Sequence, residues 1–109
     1  MRMKVYISGK IGEDVLSAAT REKFAIAEAY LRGMDLEVFN PTTSGLGKQA
    51  EELAKINGTD FYTEIMKLDL AELERCDAIY LLNDWIDSPG ANKELSRAKE
   101  LGLAVWFEE

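Results

Sequence analysis

Two carboxylates stand where apolar residues belong. At roughly 100° per residue, the stretch after Ser88 puts Ala91, Leu95, Ala98 and Leu101 on one arc and leaves Lys93, Ser96, Arg97, Lys99 and Glu100 outside it. Glu94 falls inside that arc, between Ala98 and Leu101. The stretch after Thr59 repeats the pattern. Phe61, Tyr62, Ile65, Met66, Leu73 and Cys76 make its apolar face, and Asp69 falls near the middle of it. Glu72 lies toward one edge, while Asp60, Glu64, Lys67 and Glu74 lie elsewhere. A carboxylate taken out of water is costly unless it is paired or hydrogen-bonded, and groups so placed carry shifted pKa values and often mark active sites. Simpler roles stand beside this one. Glu94 can be a boundary residue reaching solvent or pairing with Lys10 or Arg97, and Asp69 can cap a neighbouring loop.

Composition narrows the chemistry further. The chain has no histidine, which removes the commonest general base and the commonest metal ligand. With a single cysteine, Cys76, an intrachain disulfide is impossible and a zinc site is not expected. Chemistry here falls to carboxylates, hydroxyls, amides or lysine, with no metal and no cofactor expected. The net charge of −7 and the absence of basic clusters argue against a nucleic-acid polymer as partner. A small anion remains open, because a helix N-terminus holds a phosphate without net positive charge. No apolar run approaches the length of a membrane span, and the apolar stretch after Met1-Arg2-Met3-Lys4 is too short for a signal peptide. A cytoplasmic location is the default expectation.

The elements that must position these groups alternate. Lys4 to Ser8 reads as a first strand, ending at Gly9. A helix follows from about Val15 to Arg32, with Phe24, Ala27 and Leu31 on one face and Gly33 as its stop. Leu36 to Phe39 is a second strand, closed by Asn40-Pro41, and Pro41 to Gly47 reads as a mobile loop. Lys48 to Ile56 is a short helix, and Thr59 caps a longer one reaching Arg75. Ala78 to Leu82 is the third strand. Ser88, with Pro89 at the first helical position, opens a helix that ends near Gly102, and Leu103 to Phe107 is the fourth strand. With 109 residues, this predicts one α/β domain: a three-layer sandwich on a short parallel sheet of order 2-1-3-4, with helices on both faces. Ligands of such sheets bind at the C-terminal ends of the strands. The loops after Gly9, after Asn40 and Pro41, and after Asn83, together with the helix opening at Ser88 and Gly90, should therefore meet at one rim.

Other residues at that rim carry two readings each. Ser88 has a sufficient role as N-cap, and its hydroxyl and the nearby amides also suit an anion. Tyr6 is either core or a buried hydroxyl with a partner. Gly9 and Gly12 form a Gly-Lys-Ile-Gly run too short for a nucleotide fingerprint. Trp85 suits either a planar ligand or a protein contact.

Three segments in order resemble a known family. They are Tyr6-Ile7-Ser8-Gly9, the helix Asp69-Leu70-Ala71-Glu72-Leu73-Glu74-Arg75-Cys76-Asp77, and the run from Trp85 to Glu94 containing Ser88, Gly90 and Ala91. Together they resemble small members of the nucleoside 2-deoxyribosyltransferase-like superfamily, over nearly the whole chain. The resemblance implies that Glu94 attacks the anomeric carbon of a deoxyribose, that Asp69 transfers a proton near the leaving base, and that Tyr6 orients the glutamate. This fits the chemistry of carboxylates, which can form a glycosyl-enzyme intermediate and protonate a leaving group. Six residues before the nucleophile the transferases carry aspartate, whereas the deoxynucleoside 5′-monophosphate N-hydrolases carry serine; here the residue is Ser88. The resemblance therefore implies a 5′-monophosphate held around Ser8, Gly9, Ser88 and Gly90. Lys10 is the one basic residue in Gly9-Lys10-Ile11-Gly12 for the part that a basic first-loop residue plays in those hydrolases. Asn40, Pro41, Asn83 and Trp85 are expected to line the rest of the pocket, and a homodimer or higher homo-oligomer is expected.

Three functions follow for test: an N-glycosidase or deoxyribosyltransferase acting on a small deoxynucleotide or nucleoside, a nucleotide-binding module without turnover, and a protein-interaction domain using Trp85. The first needs Glu94 and Asp69 facing one pocket.

Overall fold

Alternation along Lys4–Ser8 (β1) sends Val5 and Ile7 to one face of a sheet and Tyr6 and Ser8 to the other. Both faces are covered, and Val5, Tyr6 and Ile7 have no exposed surface. That is the burial expected of a central parallel strand. In the computed structural model, which describes residues 2–11 and 16–109, β1 pairs in parallel with Glu37–Phe39 (β2) on one side and Ala78–Leu81 (β3) on the other. Ala104–Phe107 (β4) adds to β3, and the order is β2-β1-β3-β4. Tyr6 stands opposite Phe39 and Ile79, and Ser8 opposite Leu81.

One face is covered by Ala18–Arg32 (α1). Its Phe24, Ala27 and Leu31 pack with Val5, Ile7, Tyr80 and Leu82. On the other face, Phe61–Leu73 (α3) and Pro89–Leu101 (α4) bring Leu73, Leu95 and Ala98 against Tyr6, Ile79 and Leu81. Leu46–Asn57 (α2) forms a hairpin with α3. The two carboxylate-bearing helices thus cover the same face, the one to which β1 presents Tyr6 and Ser8. Among the described residues no helix is long and apolar enough to cross a membrane.

Several boundaries differ from the sequence expectation. Val15 lies outside the described residues, and α1 begins only at Ala18 because Ser17 caps it, its hydroxyl accepting from the Thr20 amide at 3.1 Å. Asp60, not Thr59, caps α3 by accepting from the Thr63 amide at 2.7 Å. The α3 helix stops at Leu73 rather than Arg75, and α2 starts two residues early, at Leu46. The loop expected after Asn40 is a hydrogen-bonded turn that runs into α2. The Asn40 side chain accepts from the Thr42 amide (2.9 Å) and hydroxyl (2.7 Å), and the Ser44 hydroxyl donates to the Pro41 carbonyl at 3.2 Å. The Ser88 cap is as expected: its hydroxyl accepts from the Ala91 amide at 3.1 Å, with Pro89 at the start of the helix.

Candidate active site

Glu94 is 6 % exposed and points from α4 toward the end of β1. Neither Lys10 nor Arg97 pairs with it. Arg97 reaches Glu74 instead, at 3.6 Å. Its partners are two hydroxyls of β1: Tyr6 donates to Oε2 in a short hydrogen bond, and Ser8 donates to Oε1 at 2.7 Å. Residues two apart on a strand share a face, so β1 presents both donors to one carboxylate. Burial pushes the Glu94 carboxyl up to about 7, against the downward pull of the Tyr6 and Ser8 hydrogen bonds. Tyr6 is itself held well above its ordinary range, first by burial and then by the negative charge of Glu94. It stays a neutral donor. Its ring stacks on Phe39, with centroids 5.1 Å apart.

Asp69 is 7 % exposed on α3, and its Oδ1 finds no hydrogen-bond partner among the described residues. It therefore does not serve as a loop cap through that oxygen. Burial, then the charges of Glu94 and Glu72, push its carboxyl up to about 8. An orphaned buried oxygen is rare in folded proteins and calls for a reason. A proton held there near neutral pH is one. Both carboxyls are thus held above the ordinary carboxylate range, and the charge of Glu94 raises the cost of ionising Asp69.

The opening of α4 lies beside this pair. Ser88 is buried, and a β-carbon placed on Gly90 would lie 3.6 Å from Met66 Sδ, 3.8 Å from the Tyr62 hydroxyl and 3.9 Å from the Ser88 hydroxyl. Gly9, at the end of β1, has a packing reason: a β-carbon there would come within 2.8 Å of Leu82. Lys10 follows it, exposed, with its backbone amide donating to Asp84 at 3.0 Å.

A family model described as a domain of unknown function, DUF4406, matches residues 3–107, a span that holds every strand and helix described above. This chain belongs to the DUF4406 family. No curated protein matches it.

In this DUF4406 chain the remaining predicted site residues divide. Asn40 is buried and fully engaged, donating to Glu28 at 3.0 Å while accepting from Thr42. Its side chain builds the turn after β2. Beside that turn lies a cleft of about 270 Å³ lined by Phe39, Asn40, Thr43, Ser44 and Glu72 among others. Pro41 follows in the turn, half-buried, and is not among the lining residues. Asn83 is exposed and donates its amide to Glu108 at 3.0 Å, toward β4. Trp85 packs inward on the sheet core, its ring 5.7 Å from Phe107. That contact within the chain gives it a role without a ligand or a partner protein. Among the described residues no group of three or more His, Cys, Asp or Glu comes together to hold a metal.

Sequence reasoning missed three features. Ser8 was expected at the phosphate, but it is buried and its hydroxyl donates to Glu94 instead; its place two residues after Tyr6 was the available signal. Phe61 and Tyr62 were assigned to a buried face but are 38 % and 44 % exposed. The first turn of α3 leans toward Gly47 and Gly90 rather than onto the sheet. Glu64, assigned away from the apolar face, is buried by the α2–α3 hairpin. It accepts from the Thr59 hydroxyl at 2.5 Å and lies 3.6 Å from Lys67.

Proposed function

We propose that this protein hydrolyses the N-glycosidic bond of a 2′-deoxynucleoside 5′-monophosphate through a glutamate nucleophile. The observation that carries this reading is the buried Glu94 carboxylate held by Tyr6 and Ser8, with a second buried carboxyl, Asp69, whose Oδ1 has no partner among the described residues. The resemblance to the nucleoside 2-deoxyribosyltransferase-like superfamily supplies the substrate class.

The chemistry runs in two displacements. The Glu94 carboxylate forms a bond to C1′ of the sugar as the C1′–N bond breaks, and its electron pair leaves on the base nitrogen. Asp69, protonated, delivers its proton to the base. Water then attacks C1′, Asp69 takes the water proton, and Glu94 departs as carboxylate. Tyr6 and Ser8 orient the nucleophile, and their hydrogen bonds favour its ionised form against the pull of burial. The Ser88 hydroxyl and the backbone N–H of Gly90, which opens α4 after Pro89, receive the 5′-phosphate, and Lys10 adds a positive charge. The cleft beside Phe39 and Glu72 takes the base.

Release of free base from the four common deoxynucleoside 5′-monophosphates, and from the matching nucleosides, tests this. The wild type should act on monophosphates in preference to nucleosides, and Glu94→Gln should be inactive yet folded. Transfer of the deoxyribosyl group from Glu94 to an added acceptor base, in place of hydrolysis, would turn the reading to a deoxyribosyltransferase. Binding of a monophosphate without base release would turn it to a binding module.

A further inference from the structure

The backbone of Lys10 is gripped on both sides. Its amide donates to Asp84 Oδ1 at 3.0 Å, and its carbonyl accepts from the Lys23 ammonium at 2.5 Å. Lys23 and Asp84 close the arrangement with a short ion pair, both side chains about one-third exposed (33 % and 35 %). Three separate elements contribute: the end of β1, the second turn of α1, and the segment after β3. Burial would raise the Asp84 carboxyl, but the Lys10 amide and the Lys23 charge outweigh it and hold it below the ordinary carboxylate range. The acceptor is thus ionised throughout the neutral range. Charge-assisted hydrogen bonds of this kind are shorter and stronger than neutral ones.

The two lysines differ in consequence. The Lys23 charge is met by Asp84, whereas the Lys10 ammonium is exposed and makes no ion pair with any of the described residues. Lys10 follows Gly9, which Leu82 holds too closely for any side chain, so the chain enters the loop at a fixed point. A lysine whose backbone is fixed loses less freedom on meeting an anion than one on a free loop.

We propose that the Lys23–Asp84 pair is a positioning device that fixes the backbone of Lys10 so that its ammonium meets the phosphate of the substrate. This rests on the 5′-monophosphate reading above and adds a determinant of specificity to it. Neither Lys23 nor Asp84 touches substrate; each acts through Lys10.

The test compares wild type with Lys23→Met, Asp84→Asn and Lys23→Arg, using the four deoxynucleoside 5′-monophosphates and the matching nucleosides. Lys23→Met and Asp84→Asn should raise KM for the monophosphates about tenfold, leave kcat and the KM for nucleosides unchanged, and speed amide exchange at Lys10. Lys23→Arg, which can still pair with Asp84, should restore the wild-type KM. Unchanged KM in both variants, or an equal rise for nucleosides and monophosphates, overturns the proposal while leaving the glycosidase reading intact. If the wild type releases no base at all, the glycosidase reading fails by itself. Calorimetric binding of the same monophosphates then decides the positioning role. A tenfold loss of affinity in Lys23→Met upholds it, and equal affinity, or none in the wild type, overturns it. Should Lys23→Met fail to fold, Asp84→Asn and Lys23→Arg carry the same comparison.

Discussion

The hydroxyl of Tyr6 donates to the carboxylate of Glu94, although the two residues stand 88 positions apart in the chain. The contact joins the central strand to the last helix on one face of the sheet, and Ser8 takes the other oxygen. A hydrogen bond to a buried charged group contributes roughly 1.5–3 kcal/mol. Tyr6→Phe should therefore lower kcat roughly 10- to 100-fold with little change in KM. Because the lost bond pulls the Glu94 carboxyl down, its removal raises that pKa, and the acid limb of the pH–rate profile should move to higher pH. Initial rates across the pH range check both effects, and an unmoved acid limb would count against Tyr6 as the partner that keeps Glu94 ionised.

The pair of raised carboxyls also predicts how stability varies with pH. Glu94 and Asp69 rise from the ordinary 4.5 and 3.8 to about 7 and about 8. The folded chain binds these protons more tightly than the unfolded chain. Their stabilising contribution is complete below the ordinary carboxylate range and is lost as the pH climbs through 7 and 8. Asp69→Asn removes the proton dependence at one of them. It should raise Tm by on the order of 5 °C at about pH 8.5, with little change at about pH 3, below the ordinary carboxylate value. Calorimetric unfolding at the two pH values decides it, and an equal shift at both would contradict the linkage.

Glu64 behaves in the opposite sense. The Thr59 hydroxyl, against a smaller effect of burial, holds its carboxyl below the ordinary range. Its contribution is present above that range and lost as the pH falls. Thr59→Val should lower Tm at neutral pH, and the difference from wild type should shrink in acid. Thermal melts of both proteins at about pH 7 and about pH 3 provide the check.

Gly9 is fixed by close approach. A β-carbon would sit 2.8 Å from Leu82 Cδ1 and 3.0 Å from Leu82 Cβ, in a core where Leu82 is almost fully buried. Gly9→Ala should destabilise the fold by about 1–3 kcal/mol, as overpacking does, measurable as a lower urea midpoint at unchanged slope. Combined with Leu82→Ala, the two changes should cost less than their sum.

What was legible in the sequence follows from what a helix makes periodic. Glu94 and Asp69 could be found because each interrupts an apolar arc that faces the sheet, and Ser88 because a cap followed by proline is a local signal. The parallel sheet followed from the alternation of elements. Glu64 was illegible because what buries it is the α2–α3 hairpin, through Thr59 and Asn57, whereas the arc was drawn against the sheet. Thr59 and Asp60 are adjacent residues of the capping type, so propensity alone could not choose between them. The bonds of Ser8 to Glu94 and of Lys23 to Asp84 span 86 and 61 positions. Only the packed sheet brings such residues together.

The most direct measurement looks for the sugar on Glu94. A 2′-deoxy-2′-fluoro-arabinonucleoside 5′-monophosphate slows breakdown of a glycosyl-enzyme more than its formation, so mass spectrometry of the digested protein can locate the adduct. The account predicts one sugar phosphate on the peptide carrying Glu94, absent in Glu94→Gln. Base release at the wild-type rate by Glu94→Gln, with no adduct on that peptide in either protein, would contradict it.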